Sequence, residues 1–244
     1  MKTDYRTRIY NNYVVARSAA LAPHSLDGLR PRAPYLTGLI QRHFPSDRQA
    51  SVIDLGCGHG AILHFARKAG YTNISGVDGS PEQVGAARRL GIDGVVEGDL
   101  LDVLANLADA SQDCVVAFDV IEHFTRDEII GLVDEVRRVL KPGGRWIIHV
   151  PNGESPFSGR MRYWDLTHEL AFTRMSIAQL LCSSGFSDVQ AYEDEPIPHG
   201  AISLARWVIW KCIRALLRLY LAAETGDTGR TAIFSQNFLT VAVK

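Results

Sequence analysis

The sequence predicts an α/β fold built on a doubly wound parallel sheet. Three observations predict it. Short apolar runs end in glycine or aspartate, helical segments alternate with them, and a glycine-rich turn stands where the first run gives way to the first helix.

Taken in order, SVIDLG (51–56) is a short apolar run closed by glycine, as a strand covered on both faces is. A helix follows over about 61–69. ISGVD (74–78) is a second strand and SPEQVGAARRL (80–90) a second helix. Ser80 suits its N-cap, Pro81 its first helical position and Gln83 the capping-box position. GVVEGD (94–99) is a third strand and DCVVAFDV (113–120) a fourth. DEIIGLVDEVRRVL (127–140) is an amphipathic helix stopped by Lys141-Pro142-Gly143-Gly144. RWIIHV (145–150) is the fifth strand. A helix over 176–184 and a strand over 186–193 follow, and 231–244 holds the last strand. Ahead of the sheet, residues 1–33 are polar, tyrosine-rich and loosely helical, ending in a loop (PHSLDGLRPRAP). Leu36, Leu39, Ile40 and Phe44 then recur at helical spacing until Pro45. The chain thus reads as one domain: a helical cap (1–49), a core (50–150), acceptor-side loops with strand six (151–200), a helical insertion (201–226) and the final strand.

Composition narrows the classes. Of 244 residues, 46% are apolar and 22% charged, which suits a globular chain rather than a disordered one. With 26 basic and 27 acidic residues the formal charge is −1, which argues against a dedicated nucleic-acid-binding domain. Cys57, Cys114, Cys182 and Cys212 form no CxxC pair and read as reduced, mostly buried thiols of a cytoplasmic protein. The N-terminus lacks the apolar core of a signal peptide, and no stretch of about 18 apolar residues would span a membrane.

The first turn carries the first chemistry. In DLGCGHGA, Gly56, Gly58 and Gly60 let the backbone turn tightly and approach a ligand, and the helix behind them offers free N–H groups. Asp78 ends the second strand, where a carboxylate accepts both ribose hydroxyls of an adenosine. The glycines alone also satisfy the dinucleotide pattern GxGxxG/A. Asp54, two residues before the first glycine, separates the readings. It would repel a pyrophosphate and would suit the cationic methionine end of S-adenosylmethionine. Asp99, after the third strand, can accept from an adenine amine. No substrate domain of dehydrogenase size follows.

The set DLGCGHG, GVDGS, EGDL, FDVIEH and LKPGG, spread over about residues 50–150, resembles the class I S-adenosylmethionine-dependent methyltransferases. The resemblance implies a Rossmann-like sheet of order 3-2-1-4-5-7-6 with the seventh strand antiparallel. It also implies that Asp54, Gly56, Gly58, Gly60, Asp78, Asp99 and Asp119 hold the cofactor.

Methyl transfer to a hydroxyl needs alignment and removal of a proton. Asp119-Val-Ile-Glu122-His123 resembles the acidic–x–x–Glu–His stretch of the ubiquinone-biosynthesis O-methyltransferases. There the acids and histidine are associated with a divalent metal, which implies a magnesium-type site at Asp119, Glu122 and His123. This chain has aspartate at Asp119 where that group tends to have glutamate. His123 as general base and a merely pocket-shaping Glu-His pair are the other readings. A second cluster, Tyr163-Trp164-Asp165 with Thr167 and His168, has the rings and polar side chains that sugar recognition uses, and DLTHELAFT resembles methyltransferases of surface-polysaccharide and glycolipid pathways. His168 is the second candidate base, or only orders the loop. His24, His43, His59, His64, His149 and His199 read as structural or solvent-exposed.

In the insertion, Arg206, Lys211, Arg214 and Arg218 share one helical arc, with Trp207 and Trp210 toward it, opposite Val208, Ile209, Cys212, Ile213, Leu216, Leu219 and Tyr220. The pattern suits a helix lying at a membrane interface, near a lipid-linked acceptor, or equally one packed on the sheet or on another subunit. The favoured function is O-methylation of a sugar hydroxyl in a bacterial glycan or glycolipid precursor. A small phenolic or quinone-type acceptor and a non-catalytic cofactor-binding scaffold are the alternatives. The oligomeric state is left open.

Overall fold

The computed structural model describes residues 5–10 and 22–244. Seven strands form one sheet: β1 (Val52–Leu55), β2 (Ile74–Asp78), β3 (Val95–Glu97), β4 (Gln112–Phe118), β5 (Leu140–Pro151), β6 (Ser187–Glu193) and β7 (Asn237–Val243). Their order is β3-β2-β1-β4-β5-β7-β6. The β1–β5 pairs are parallel, and β7 runs antiparallel to both β5 and β6. This is the predicted order and direction.

Alternation along the strands splits the core into two layers. Ile53, Leu55, Val115, Ala117, Ile148 and Val150 face one side, where Trp146 and α6 (Arg126–Val139) complete a buried cluster. Val52, Cys114, Val116 and Ile147 face the other, against α2 (Ala33–His43) and α3 (Ala61–Lys68). Thr125 caps α6 through a full capping box with Glu128, and Thr173 caps α8 (Arg174–Ser183) likewise with Ser176. Ser80 caps α4 (Pro81–Arg89), but Gln83 leaves the expected box half closed, because its side chain instead meets His59 Nδ1 at 3.3 Å. The remaining helices are α1 (Tyr5–Tyr10), α5 (Leu100–Asn106), α7 (Ser158–Tyr163) and α9 (Ala201–Thr225).

Four expectations change. The loop before α2 is a 3₁₀ helix over Leu26–Arg32; much of the loosely helical reading of 1–33 falls on 1–4 and 11–21, outside the described residues. Lys141–Gly144 already belongs to β5. The cysteines are all free but not mostly buried: Cys182 and Cys212 lie on outward helix faces. Finally, three of the four basic residues in the arc of α9 face the protein, while Arg206 stays exposed. Lys211 pairs with Glu195 at 2.6 Å, Arg214 pairs with Glu193 at 2.6 Å, and Arg218 donates to the Thr228 carbonyl. Trp207, beneath the Lys211 ammonium, is half-buried on the same side. The acidic end of β6 draws these cations inward and turns the apolar face of α9 to solvent. Among the described residues no helix is long and apolar enough to cross a membrane.

Candidate active site

The glycine turn after β1 has backbone geometry that only glycine holds without strain. Gly56 has φ +65°, and a Cβ there would lie 2.4 Å from Val120 Cγ2. Gly60, at φ +80°, is the N-cap of α3, and a Cβ there would meet Ile92 and Val95 below 3.0 Å. Gly58 donates its N–H to Asp78 Oδ2 at 2.7 Å, and Ser80 N–H reaches Asp78 Oδ1 at 2.9 Å. Each Asp78 oxygen keeps a further lone pair for a hydroxyl donor. Asp99 is the N-cap of α5, and its Oδ1 accepts from Leu101 and Asp102.

Asp54 is buried beside this turn, and neither of its carboxylate oxygens has a hydrogen-bond partner. Burial, reinforced by the nearby Asp78, raises its pKa well above the usual carboxylate range. An orphaned acid under a glycine turn is a fit for a ligand that brings a cationic donor, as the methionine ammonium of S-adenosylmethionine would. The residues present are therefore compatible with that cofactor.

Sequence reasoning missed one network. His149, set aside as structural or exposed, is buried between two carboxylates: Nδ1 lies 2.8 Å from Asp119 Oδ1 and Nε2 lies 2.6 Å from Asp194 Oδ2. Its ring stacks on Phe118 at 4.7 Å, and Tyr35 from α2 donates to Asp194 at 2.8 Å. Burial disfavours the imidazolium, but the two carboxylates outweigh it and push the pKa well above the usual value. Asp119, in the left-handed region at φ +54°, is thus turned toward His149.

The third ligand-type group beside Glu122 and His123 is therefore His168 and not Asp119. One ligand atom from each of Glu122, His123 and His168 lies within 4.8 Å of the others. The Glu122 carboxylate is fully buried without a hydrogen-bond partner, 4.0 Å from His168 Nε2. The tautomers follow from the partners. Thr167 Oγ1 spends its proton on Asp165 at 2.7 Å, so His123 Nδ1, 2.9 Å from that oxygen, donates to it. His168 Nδ1 donates to the Met161 carbonyl at 3.0 Å. Both imidazoles thereby keep Nε2 as an acceptor. Burial, with His168 adding, lowers the His123 pKa to about 4, so its ring is neutral at physiological pH.

The Tyr163–Asp165 cluster divides. Tyr163 and Trp164 are 80% and 64% exposed at the end of α7, whereas Asp165 is buried and serves Thr167. The loop is pinned to the end of β4, since Glu169 and Leu170 both donate to the Glu122 carbonyl.

The profile of the methyltransferase-domain family matches residues 29–191. The chain is 38% identical over 128 residues to an uncharacterized 37.1 kDa protein in transposon TN4556 of Streptomyces fradiae, covering 51% of this chain and 36% of that one. It is 32% identical over 141 residues to a probable S-adenosylmethionine-dependent methyltransferase of Mycolicibacterium smegmatis, covering 55% and 51%. The chain thus spans about a third to a half of the length of these relatives. Among solved structures, a SAM-dependent methyltransferase from Archaeoglobus fulgidus superimposes with a TM-score of 0.67 at 22% identity, over 89% of this chain and 97% of that one. The fold is that of the S-adenosylmethionine-dependent methyltransferases, and with the family profile covering two thirds of its length the chain belongs to the methyltransferase-domain family.

Proposed function

We propose that the chain is an S-adenosylmethionine-dependent O-methyltransferase acting on a sugar hydroxyl of a glycan or glycolipid precursor. The observation that carries this reading is the convergence of Glu122, His123 and His168 on one point, next to the loop that carries the exposed rings of Tyr163 and Trp164.

S-adenosylmethionine supplies the methyl group on a sulfonium that leaves as a neutral thioether. The Gly56–Gly60 turn, Asp54 and Asp78 would hold that cofactor. An acceptor hydroxyl would have to be aligned with that methyl group and give up its proton to a group of this chain. Two imidazole nitrogens and one carboxylate make a donor set suited to a divalent transition metal such as manganese rather than to magnesium, which prefers oxygen ligands. Glu122, His123 and His168 would hold it. A cation there lowers the pKa of a bound hydroxyl. Tyr163 and Trp164 present flat faces to the C–H face of a sugar ring, as aromatic side chains at carbohydrate sites do.

A second reading, a metal-free general base, is favoured by the Asp165–Thr167–His123 chain, which fixes Nε2 of His123 as the proton acceptor. The deciding experiment is methyl transfer from labelled S-adenosylmethionine to nucleotide sugars, lipid-linked glycans and catechols, with and without EDTA. Labelled sugar supports the reading. Labelled catechol only would move the acceptor to the phenolic class. Cofactor binding without transfer to any acceptor would favour a scaffold.

A further inference from the structure

We propose that the outward face of α9 pairs two copies of this chain as an antiparallel helix dimer. The helix is 25 residues long, about 37 Å at 1.5 Å per residue. Ser203 alone among its residues is fully buried. Ala205, Ile209, Cys212, Leu216, Leu219 and Ala223 recur in alternating steps of four and three, the spacing of a two-helix seam. Ile209, Leu216 and Leu219 on that seam are 59%, 66% and 66% exposed, and Val208, Ile213 and Tyr220 widen it on both flanks. An apolar face of this length is unusual on a protein that stays monomeric.

Charge identifies the occupant. A helix lying on an anionic bilayer needs cations along the rim of its apolar face. Here Lys211, Arg214 and Arg218 are spent on Glu195, Glu193 and the Thr228 carbonyl on the opposite side. The charges left on the outer flank are Arg206 near one end and Glu224 near the other, where Glu224 also holds the Tyr220 hydroxyl proton and raises its pKa. In an antiparallel pair Arg206 of each copy meets the Tyr220–Glu224 end of the other, and the seam residues pair as Ile209 with Leu219 and Cys212 with Leu216. In a parallel pair Arg206 of each copy would lie level with Arg206 of the other, at the end away from both Glu224 side chains. The surface is self-complementary about a two-fold axis near the helix midpoint, as an isologous contact requires.

Sedimentation velocity on the whole chain tests this. The wild type should sediment as a dimer at micromolar concentration. Ile209→Asp/Leu216→Asp should weaken the dimer by at least about a hundredfold, since each buried carboxylate is introduced twice across the pair. Thermal unfolding should show that this variant still folds. Arg206→Glu, on an exposed side chain, should weaken the dimer, and Arg206→Glu/Glu224→Arg should restore it. A wild type that remains monomeric overturns the proposal, whether it floats with anionic phosphatidylserine vesicles or ignores them. A dimer tightened by Arg206→Glu overturns the antiparallel arrangement.

Discussion

His149 Nδ1 lies 2.8 Å from Asp119 Oδ1, tying the C-terminal end of β5 to the residue that follows β4. The contact sits on adjacent parallel strands, with Phe118 stacked on the imidazole. It holds Asp119 in a backbone conformation that a non-glycine residue seldom adopts.

The pH dependence of stability follows from this pair. His149 has its folded pKa raised above the unfolded value near 6.5. Its contribution is therefore complete below pH about 6.5 and is lost as pH climbs through the raised folded value. Denaturant unfolding of the wild type and His149→Asn at pH 6 and pH 9 should show the gap between them, about 2 kcal/mol at the lower pH, shrinking at the higher. A gap that widens with pH would show that the ring is neutral in the folded state.

Asp78→Ala should weaken S-adenosylhomocysteine binding by about ten- to a hundredfold, the loss of a charge-assisted hydrogen bond. The same change frees the N–H groups of Gly58 and Ser80. Titration calorimetry on the folded variant reads this directly. Unchanged affinity would remove Asp78 from the cofactor site.

Gly56→Ala should cost roughly 2–4 kcal/mol, from a left-handed alanine and a methyl driven into Val120. Adding Val120→Ala should recover the steric part and leave the backbone part. Thermal unfolding of the single and double variants separates the two contributions.

Metal affinity distinguishes the two candidate ligand sets. Manganese binding followed by electron paramagnetic resonance should be abolished by Glu122→Gln and by His168→Ala. It should persist in Asp119→Asn, because Asp119 is engaged with His149. If Asp119→Asn is as damaging as His168→Ala, the aspartate belongs to the ligand set. If the wild type binds no manganese, the general-base reading stands.

What could be read from the sequence is what depends on neighbours. The glycine turn after β1, the strand end at Asp78 and the cap at Ser80 obey rules that span a few residues, so the order of elements was legible. The strand order itself came through the family resemblance. The His149 network was not legible. Its members Tyr35, Asp119 and Asp194 are remote in the chain, and nothing local in RWIIHV marks a histidine held between carboxylates. His168 was visible as a candidate base, but its convergence on Glu122 depends on the loop returning to the end of β4. For α9 the two faces were legible and their orientation was not. The helix is amphipathic either way, and Glu193 and Glu195, outside it, decide which side turns inward.

The pairing of Glu193 with Phe238 at the ends of β6 and β7 has a consequence for how the fold can vary. The chain leaves the sheet and re-enters it at one rung, so everything between hangs from a closed hairpin base. Shortening or lengthening such an excursion changes closure entropy only logarithmically. The register of β5, β7 and β6 does not depend on what is spliced in there. A graft that replaces 198–230 with a short turn, keeping Glu193 supplied with a cation, should leave the sheet intact, which makes this rung a natural site for exchanging modules between otherwise similar proteins.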